Sequence, residues 1–189
     1  MKKIAIFASG SGSNAQNIIE YFNESTTARV DIVLTNRKDA YVLERAKNLN
    51  VPSHVFNKVE FYQTNQIIDI LANNKIDLIV LAGFLWLVPS NIIQQYPNRI
   101  INIHPALLPL YGGKGMFGQA VHQAAIANKE LFSGITIHYV NEQYDSGDVI
   151  LQVKCNIDTE DTADTLAEKV HVLEYKHFPE TIEKIIKSI

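Results

Sequence analysis

The chain has almost no cysteine and no long run of apolar residues. Cys155 is the only cysteine among 189 residues, so no internal disulfide can form, and this usage is typical of a reducing compartment. The longest apolar stretch, residues 76–88, is interrupted by Asp77 and Gly83 and is not suited to cross a membrane. The apolar run near the N terminus ends before Ser9, which is too early for an export signal. We therefore expect a cytoplasmic protein that does not associate with membranes.

The sequence also lacks a strong excess of charge of either sign. Seventeen Lys and Arg residues stand against 20 Asp and Glu residues, a net charge of −3, which gives no indication of nucleic-acid binding. The six histidines show no paired metal-ligand spacing, so no metal site is expected. Hydrophobic residues make up 47% of the chain, enough for a core without disulfides or structural metal. A monomer or a homodimer is compatible with this composition.

Short apolar runs alternate with helical patterns through the first half of the chain. The runs are continuous rather than alternating, which predicts strands buried on both faces, as in a parallel sheet covered by helices. The predicted strands are residues 4–7, 30–34, 51–56, 77–81 and 99–103, and the predicted helices are residues 13–22, 40–48, 60–72 and a short segment from Pro89.

The pattern changes after Pro109, where residues 134–140 and 149–157 predict an antiparallel strand pair and residues 162–175 and 178–187 predict two helices. The expected fold class is therefore α/β: a Rossmann-like three-layer domain with a mostly parallel sheet and an antiparallel C-terminal strand pair. Residues 1–189 are expected to form a single domain. Residues 1–104 would be its nucleotide-binding parallel half, and residues 105–189 would supply a loop, the antiparallel strands and the C-terminal helices.

A loop rich in glycine and serine, residues 9–14, lies between the first predicted strand and helix. Glycines let the backbone approach an anion, and free amides at the helix start point toward it, so phosphate or carboxylate binding is the leading hypothesis. A tight turn with good helix caps is the plainer interpretation. Residues 10–15 also match the dinucleotide pattern G-x-G-x-x-G/A, although residues 35–38 provide no acidic group for a ribose. An NADP site using Arg37 stays open as an alternative.

Asn102 and His104 lie two residues apart at the end of a predicted strand, so their side chains share one face of the sheet. Strand ends of this kind hold the ligands of open α/β sheets, and the two side chains could polarise a carbonyl group and hold an oxyanion. A buried histidine paired with an amide is the plainer interpretation. Asp145, in the loop between the two late strands, could orient the imidazole and raise its pKa. Together the three residues would form an acid/base site without a metal or a covalent nucleophile.

Four segments together resemble a known family. They are Ser-Gly-Ser-Gly-Ser-Asn at 9–14, Val-Leu-Ala-Gly-Phe at 80–84, Ile-Asn-Ile-His-Pro-Ala-Leu-Leu-Pro at 101–109, and Gly-Ile-Thr-Ile-His-Tyr-Val at 134–140 followed by Asp-Ser-Gly-Asp-Val-Ile-Leu-Gln at 145–152. In this order they resemble the folate-dependent formyltransferase superfamily, and within it the glycinamide ribonucleotide formyltransferase family. The N-terminal loop and the chain length favour this family over the methionyl-tRNA formyltransferases and the formyltetrahydrofolate deformylases.

The resemblance implies transfer of the formyl group of 10-formyltetrahydrofolate, a co-substrate, to the amine of glycinamide ribonucleotide, with no bound cofactor. It implies that Asn102, His104 and Asp145 are catalytic. It also implies that the nucleotide phosphate and amine contact Gly12, Ser13, Asn14 and Glu174, and that the folate contacts Leu85, Trp86, Leu87, Val88 and Asn102. An NADP-linked oxidoreductase and a non-catalytic phosphosugar-binding module are the alternative functions.

The sequence departs from the family pattern at three places. Leu85 and Trp86 replace a Met-Arg pair in the folate segment, and an arginine expected after the third strand is missing, with Lys58 the nearest cation. The third departure is the loop of residues 110–118, which contains four glycines and Lys114. This loop is either a lid whose lysine meets the acidic tail of the folate or a flexible linker. The departures concern folate affinity more than the chemistry.

Overall fold

A seven-stranded sheet organises the computed structural model, which describes residues 1–189. The strands are β1 Lys2–Phe7, β2 Ala28–Thr35, β3 Ser53–Val55, β4 Leu78–Leu81, β5 Ile100–His104, β6 Phe132–Tyr139 and β7 Val149–Asn156. The helices are α1 Ser13–Phe22, α2 Val42–Asn48, α3 Lys58–Tyr62, α4 Gln66–Asn73, α5 Ser90–Gln95, α6 Gln119–Ala127 and α7 Ala163–Ile186. No helix is both long enough and apolar enough to span a membrane.

The strand order is β3-β2-β1-β4-β5-β6-β7, and the first five strands run parallel to one another. Strands β6 and β7 then add in antiparallel orientation, as the sequence predicts. The order reverses between β1 and β4, and open α/β sheets bind ligands beyond the strand ends at such a reversal. The register of β5 on β6 places Asn102 opposite His138 and His104 opposite Thr136.

Two separate apolar clusters cover the two faces of the sheet. Ile4 and Ile6 of β1 face the cluster built with α1, α2, α6 and α7, whereas Ala5 and Phe7 face the cluster built with α3, α4 and α5. Because residues 4–7 of β1 are buried on both faces of the sheet, all four are apolar, which explains their continuous pattern. Burying a single such aliphatic side chain contributes about 1.5–3 kcal/mol. The predicted three-layer α/β fold class is confirmed.

The predicted helix over residues 60–72 is wrong, because the segment forms two helices. Asn57 caps α3 by accepting from the backbone N–H groups of Val59 and Glu60, and the Glu60 carboxylate accepts from Asn57 N–H in return. Thr64 Oγ1 then accepts from Gln66 N–H and begins α4. The Thr64 hydroxyl also donates to the Glu60 carbonyl oxygen at 3.0 Å, so it competes with the helical hydrogen bonds where the helix breaks.

The two helices predicted near the C terminus form one continuous helix, α7, with Pro179 inside it. A proline removes one helical hydrogen bond, but Phe178 and Ile182 on either side are fully buried in the core. Their packing outweighs the local preference of proline to end a helix. Helix α6 is not predicted from the sequence, because the glycine-rich loop before it and its weakly amphipathic pattern conceal its start.

We expect the substitution Gly134→Ala to destabilise the fold by about 1–3 kcal/mol through overpacking. A Cβ atom at Gly134 would overlap the Val153 carbonyl oxygen and approach Lys154 Cα at 2.8 Å, and both are backbone atoms of β7 that cannot move aside cheaply. The free energy of unfolding in urea measures this loss. Gly10→Ala is the matched control, since no atom lies within 4 Å of its Cβ position. Equal stability of the two variants would contradict the close β6–β7 contact.

Candidate active site

The loop after β1 presents an open helix N-terminus. Gly12 caps α1 with φ 74°, a left-handed conformation, and has no side chain to satisfy the first N–H groups of the helix. A Cβ atom at this position would overlap the side chain of Val42. Both the backbone conformation and the lack of space therefore require glycine here. The unpaired N–H groups and the helix dipole favour an anion at this position.

Ser9 joins this loop to the segment that follows β4. The Ser9 hydroxyl donates to Asn36 Oδ1 at 2.7 Å and accepts from Leu85 N–H at 3.0 Å. The backbone N–H of Ser9 also donates to the Gly83 carbonyl oxygen at 3.0 Å. Because Ser9 is only 1% exposed, these hydrogen bonds are shielded from water, and they fix the loop after β1 relative to residues 83–85.

The structure brings Asn102, His104 and Asp145 together. Asp145 Oδ2 lies 3.6 Å from His104 Nδ1, and Asn102 Nδ2 donates to Asp145 Oδ1 over a long 3.4 Å. His104 Nε2 donates to the carbonyl oxygen of Tyr111 at 2.7 Å. This bond fixes the plane of the imidazole and leaves Nδ1 as the nitrogen that faces the carboxylate.

His104 does not carry the raised pKa expected from the sequence. Burial lowers the pKa of His104 below its usual value, because the side chain is 4% exposed and charging it there costs hydration energy. Asp145 and the Tyr111 carbonyl raise this pKa, but they only partly offset the effect of burial. The expected influence of Asp145 is therefore present, and burial outweighs it. A neutral imidazole with an available Nδ1 lone pair can accept a proton.

Asp145 is held as a carboxylate by its neighbours. Burial raises the pKa of Asp145, but His138, the charge of His104 and the Gly113 N–H, which donates to Oδ2 at 2.8 Å, outweigh burial and lower it. Its backbone adopts the left-handed conformation with φ 51°, which aspartate tolerates better than most residues. Strained backbone of this kind concentrates at functional sites.

His138 is a site residue that the sequence analysis overlooks. Its Nδ1 donates to the Tyr139 carbonyl oxygen at 2.8 Å, and its Nε2 lies 3.1 Å from Asn102 Nδ2. His138 Nε2 also lies 3.7 Å from Asp145 Oδ1. The available signal was its place in the Gly-Ile-Thr-Ile-His segment of β6, but only the strand register shows that it faces Asn102.

Asn14 and Glu174 form a second polar pair, between α1 and α7. Asn14 Nδ2 donates to Glu174 Oε2 at 2.8 Å, so the side-chain nitrogen predicted to contact phosphate is already engaged by a carboxylate. Glu174 is only 5% exposed, so it is not a solvated carboxylate on the helix surface. Burial raises the pKa of Glu174, and the Asn14 hydrogen bond and His171 partly offset that effect.

Two cavities meet at the catalytic candidates. The larger cavity, of about 650 Å³, is lined by the loop of residues 9–14, His104, Glu174 and the glycine-rich loop with Lys114. The smaller cavity, of about 50 Å³, is lined by Trp86, Leu87 and Val88 together with His138 and Tyr144. Leu85, grouped with this segment in the sequence, lies on the larger cavity. Asn102 and Asp145 line both cavities and form part of the wall between them.

Of the three cations considered from the sequence, one lies beside the smaller cavity and two line the larger cavity. Lys58 Nζ lies 5.9 Å from the centre of the Trp86 ring, next to the smaller cavity. Lys114 lies on the larger cavity. Arg37 lines the larger cavity but pairs with Asp39 through contacts of 3.2 and 2.9 Å. No cluster of three or more His, Cys, Asp or Glu side chains has the geometry to hold a metal ion.

The fold and the site define an open α/β protein in which an uncapped helix N-terminus and a cluster of Asn, His and Asp side chains lie where two cavities meet. The sequence pattern of the formyl transferase family matches residues 2–182, and the chain belongs to this family.

Individual relatives agree with this assignment. The chain is 37% identical to the phosphoribosylglycinamide formyltransferase of Bacillus subtilis over 98% of this chain and 95% of that protein. It is 38% identical to the chloroplastic phosphoribosylglycinamide formyltransferase of Arabidopsis thaliana over 99% of this chain, but it spans only 66% of that protein. The crystal structure of phosphoribosylglycinamide formyltransferase from Streptococcus pneumoniae superposes with a TM-score of 0.85 at 38% identity, covering 98% of this chain and 99% of that one.

We expect Ser9→Ala to loosen the segment after β4. The substitution leaves Leu85 N–H without its acceptor, and losing one such hydrogen bond should speed amide exchange at Leu85 roughly 10-fold. Hydrogen exchange followed by NMR measures this rate. Ser11→Ala is the matched control, because Ser11 lies in the same loop with an exposed side chain. Unchanged exchange at Leu85 in Ser9→Ala would show that Ser9 does not hold the segment.

We expect the free energy of unfolding of the wild-type protein to decrease at acidic pH because of His122. Burial, with smaller effects of His171 and His104, lowers the pKa of His122 to about 4. Below pH 6.5 His122 binds a proton in the unfolded chain but stays neutral in the folded protein. The free energy of unfolding therefore falls as the pH drops from 6.5 toward 4. The free energy of unfolding of His122→Phe should fall less than that of the wild type between pH 7.5 and 4.5, by roughly 2–3 kcal/mol. Parallel profiles for the two proteins would contradict the shifted pKa.

Proposed function

We propose that the chain transfers the formyl group of 10-formyltetrahydrofolate to the amine of 5-phosphoribosylglycinamide, giving formylglycinamide ribonucleotide and tetrahydrofolate in de novo purine biosynthesis. The observation that carries the proposal is that Asn102 and Asp145 line both cavities at once. A group transfer between two substrates needs its reacting atoms at a shared boundary, with acid/base side chains within reach.

The nucleotide occupies the larger cavity in this proposal. Its phosphate binds the open N-terminus of α1, where Gly12, Ser13 and Asn14 offer backbone N–H groups. Since the Asn14 side-chain nitrogen is engaged by Glu174, the phosphate contact at Asn14 is assigned to its backbone. Glu174 accepts hydrogen bonds from the glycinamide end, and its pKa is raised because burial outweighs the opposing effects of Asn14 and His171.

The folate binds beside Leu85, Trp86, Leu87 and Val88, with Asn102 at the inner end. The smaller cavity is far below the roughly 300–1,000 Å³ of typical ligand sites, so the folate enters only when its wall opens. We propose that the part of the wall that opens is the loop of residues 140–148, which lies between β6 and β7 and contributes Gln143, Tyr144 and Asp145 to the lining. Lys58, stacked over Trp86, is positioned for the acidic tail of the folate.

The chemistry proceeds by direct attack of the amine nitrogen on the formyl carbon. The formyl oxygen becomes an oxyanion. The side-chain amide of Asn102, whose hydrogen bond to Asp145 is long at 3.4 Å, is the donor that stabilises this oxyanion. The neutral His104 accepts a proton from the attacking amine at Nδ1. It returns that proton to N10 of the folate as the bond between the formyl carbon and N10 breaks and the carbonyl re-forms.

Asp145 stabilises the imidazolium that exists between these two proton transfers. Its carboxylate lies 3.6 Å from His104 Nδ1 and is already ionised, so it provides a negative charge beside the ring without rearranging. Holding Nε2 on the Tyr111 carbonyl keeps the ring plane constant through both transfers. These steps require no metal ion and no covalent intermediate with the protein.

The two alternative functions are less well supported. For an NADP-linked oxidoreductase, the end of β2 offers no acidic side chain for a ribose, and Arg37 is paired with Asp39. A non-catalytic phosphosugar-binding module would not require the cluster of Asn102, His104 and Asp145. A formyl-transfer assay with both substrates tests the proposal directly, and absence of turnover would leave the binding module as the better description. The cytoplasmic location and the monomeric or homodimeric state stay predictions.

We expect His104→Ala and Asp145→Asn each to lower kcat by roughly 10²–10³-fold with small changes in either KM, because both groups act mainly in the transition state. The double variant should lose much less than the product of the two single losses, since the carboxylate has little to support once the imidazole is gone. Steady-state kinetics with each substrate varied in turn measures these effects.

Asp148→Asn is the control for these variants, because Asp148 lies in the same loop with an exposed side chain. It should retain nearly full activity. Strictly additive losses in the double variant, or full activity of Asp145→Asn, would mean that His104 and Asp145 do not act as a pair.

A further inference from the structure

Only three buried side-chain polar atoms in the chain have no hydrogen-bond partner. They are Asn14 Oδ1, His54 Nε2 and His122 Nδ1. Buried polar atoms are nearly always paired, because an unpaired one loses its hydration without compensation. Asn14 and His122 both line the larger cavity, whereas His54 lies on β3, away from both cavities. The unpaired polar atoms are therefore concentrated where the proposed nucleotide binds.

His122 has no part in the catalytic cluster described above. It is on α6 and only 3% exposed, yet it lines the cavity. His104 and His171 line the same cavity, and both lower the pKa of His122. Since His104 belongs to the reaction centre and His171 Nε2 lies 3.9 Å from Glu174 Oε2, His122 shares the cavity with both groups.

The buried ring of His122 is neutral, and its single proton can be assigned by comparing the two tautomers. Burial lowers the pKa of His122 to about 4, so the imidazolium is not present at neutral pH. A neutral imidazole carries one N–H donor and one lone-pair acceptor. A buried N–H without an acceptor is rarer in proteins than a buried acceptor without a donor. The unpartnered Nδ1 therefore carries the lone pair, and Nε2 carries the proton as a donor.

We propose that His122 is a nucleotide-binding residue that donates its Nε2–H to an oxygen acceptor on the glycinamide part of the nucleotide. This inference rests on the proposed function, because the glycinamide must extend from Glu174 to the formyl carbon beside His104. Its amide carbonyl oxygen passes the side of the cavity that His122 lines. The same nucleotide also carries hydroxyl and N–H donors, which suit the unpaired Asn14 Oδ1.

Kinetics of matched variants tests the proposal. His122→Phe keeps a flat ring and removes the donor, so KM for the nucleotide should rise about 10-fold, as expected for the loss of one hydrogen bond. KM for 10-formyltetrahydrofolate should stay within about twofold of the wild type. His122→Gln restores an N–H near the Nε2 position and should recover most of the loss, which a purely packing role would not predict.

His54→Phe is the control, because His54 has the same type of unpaired nitrogen remote from the cavity. It should change neither KM. If the wild-type protein fails to turn over, the proposed function fails. If the wild type turns over and His122→Phe retains the wild-type nucleotide KM, or if both KM values rise equally, only the role of His122 is overturned.

A measurement on the wild-type protein keeps the test independent of variant folding. NMR of imidazole-¹⁵N-labelled protein should show His122 protonated on Nε2 and not on Nδ1. Addition of phosphoribosylglycinamide alone should shift the Nε2–H resonance, and addition of tetrahydrofolate alone should not. A proton on Nδ1, or a resonance that responds to tetrahydrofolate and not to the nucleotide, would overturn the proposal.

Discussion

The buried carboxylate of Asp145 is the constraint on which the rest of the site depends. It touches groups from three parts of the chain: His104 at the end of β5, His138 on β6 and the N–H of Gly113 in the glycine-rich loop. An unpaired carboxylate would not stay ionised in so little water. The antiparallel addition of β6 to a parallel sheet supplies this environment, because it brings His138 directly opposite Asn102.

The two proposed substrate regions are mechanically connected as well as adjacent. Ser9 follows β1 and belongs to the proposed phosphate-binding loop, yet its hydroxyl accepts from Leu85 N–H, where the proposed folate segment begins. The distance between the two binding regions is thus fixed by short hydrogen bonds between neighbouring strand ends rather than by flexible side chains. Small misplacements of reacting groups cost large factors in rate, so a rigid connection of this kind is valuable for a transfer reaction.

Much of the fold follows from the sequence, because continuous apolar runs identify strands buried on both faces, as for Ile4 to Phe7. Local rules fail where side-chain hydrogen bonds or packing decide the outcome: Thr64 divides a predicted helix, and Phe178 and Ile182 carry α7 past Pro179. Strand-end position and resemblance single out Asn102, His104 and Asp145, which the structure brings together, and their catalytic role stays a prediction. Three features were not predictable from the sequence: the pairing of Asn14 with Glu174, the contact of His138 with Asn102, and the burial that lowers the pKa of His104. Each depends on contacts between residues distant in the chain.

The hydrogen bonds from the loop after β5 link the reactivity of the site to its closure. The Tyr111 carbonyl orients His104, and Gly113 N–H, two residues further on, holds Asp145. Displacing this short stretch of backbone removes both supports in one movement, so the base and its counter-charge lose their alignment together. A site with this stretch displaced would therefore not catalyse proton transfer. A formyl donor that binds while this stretch is displaced would meet no aligned base.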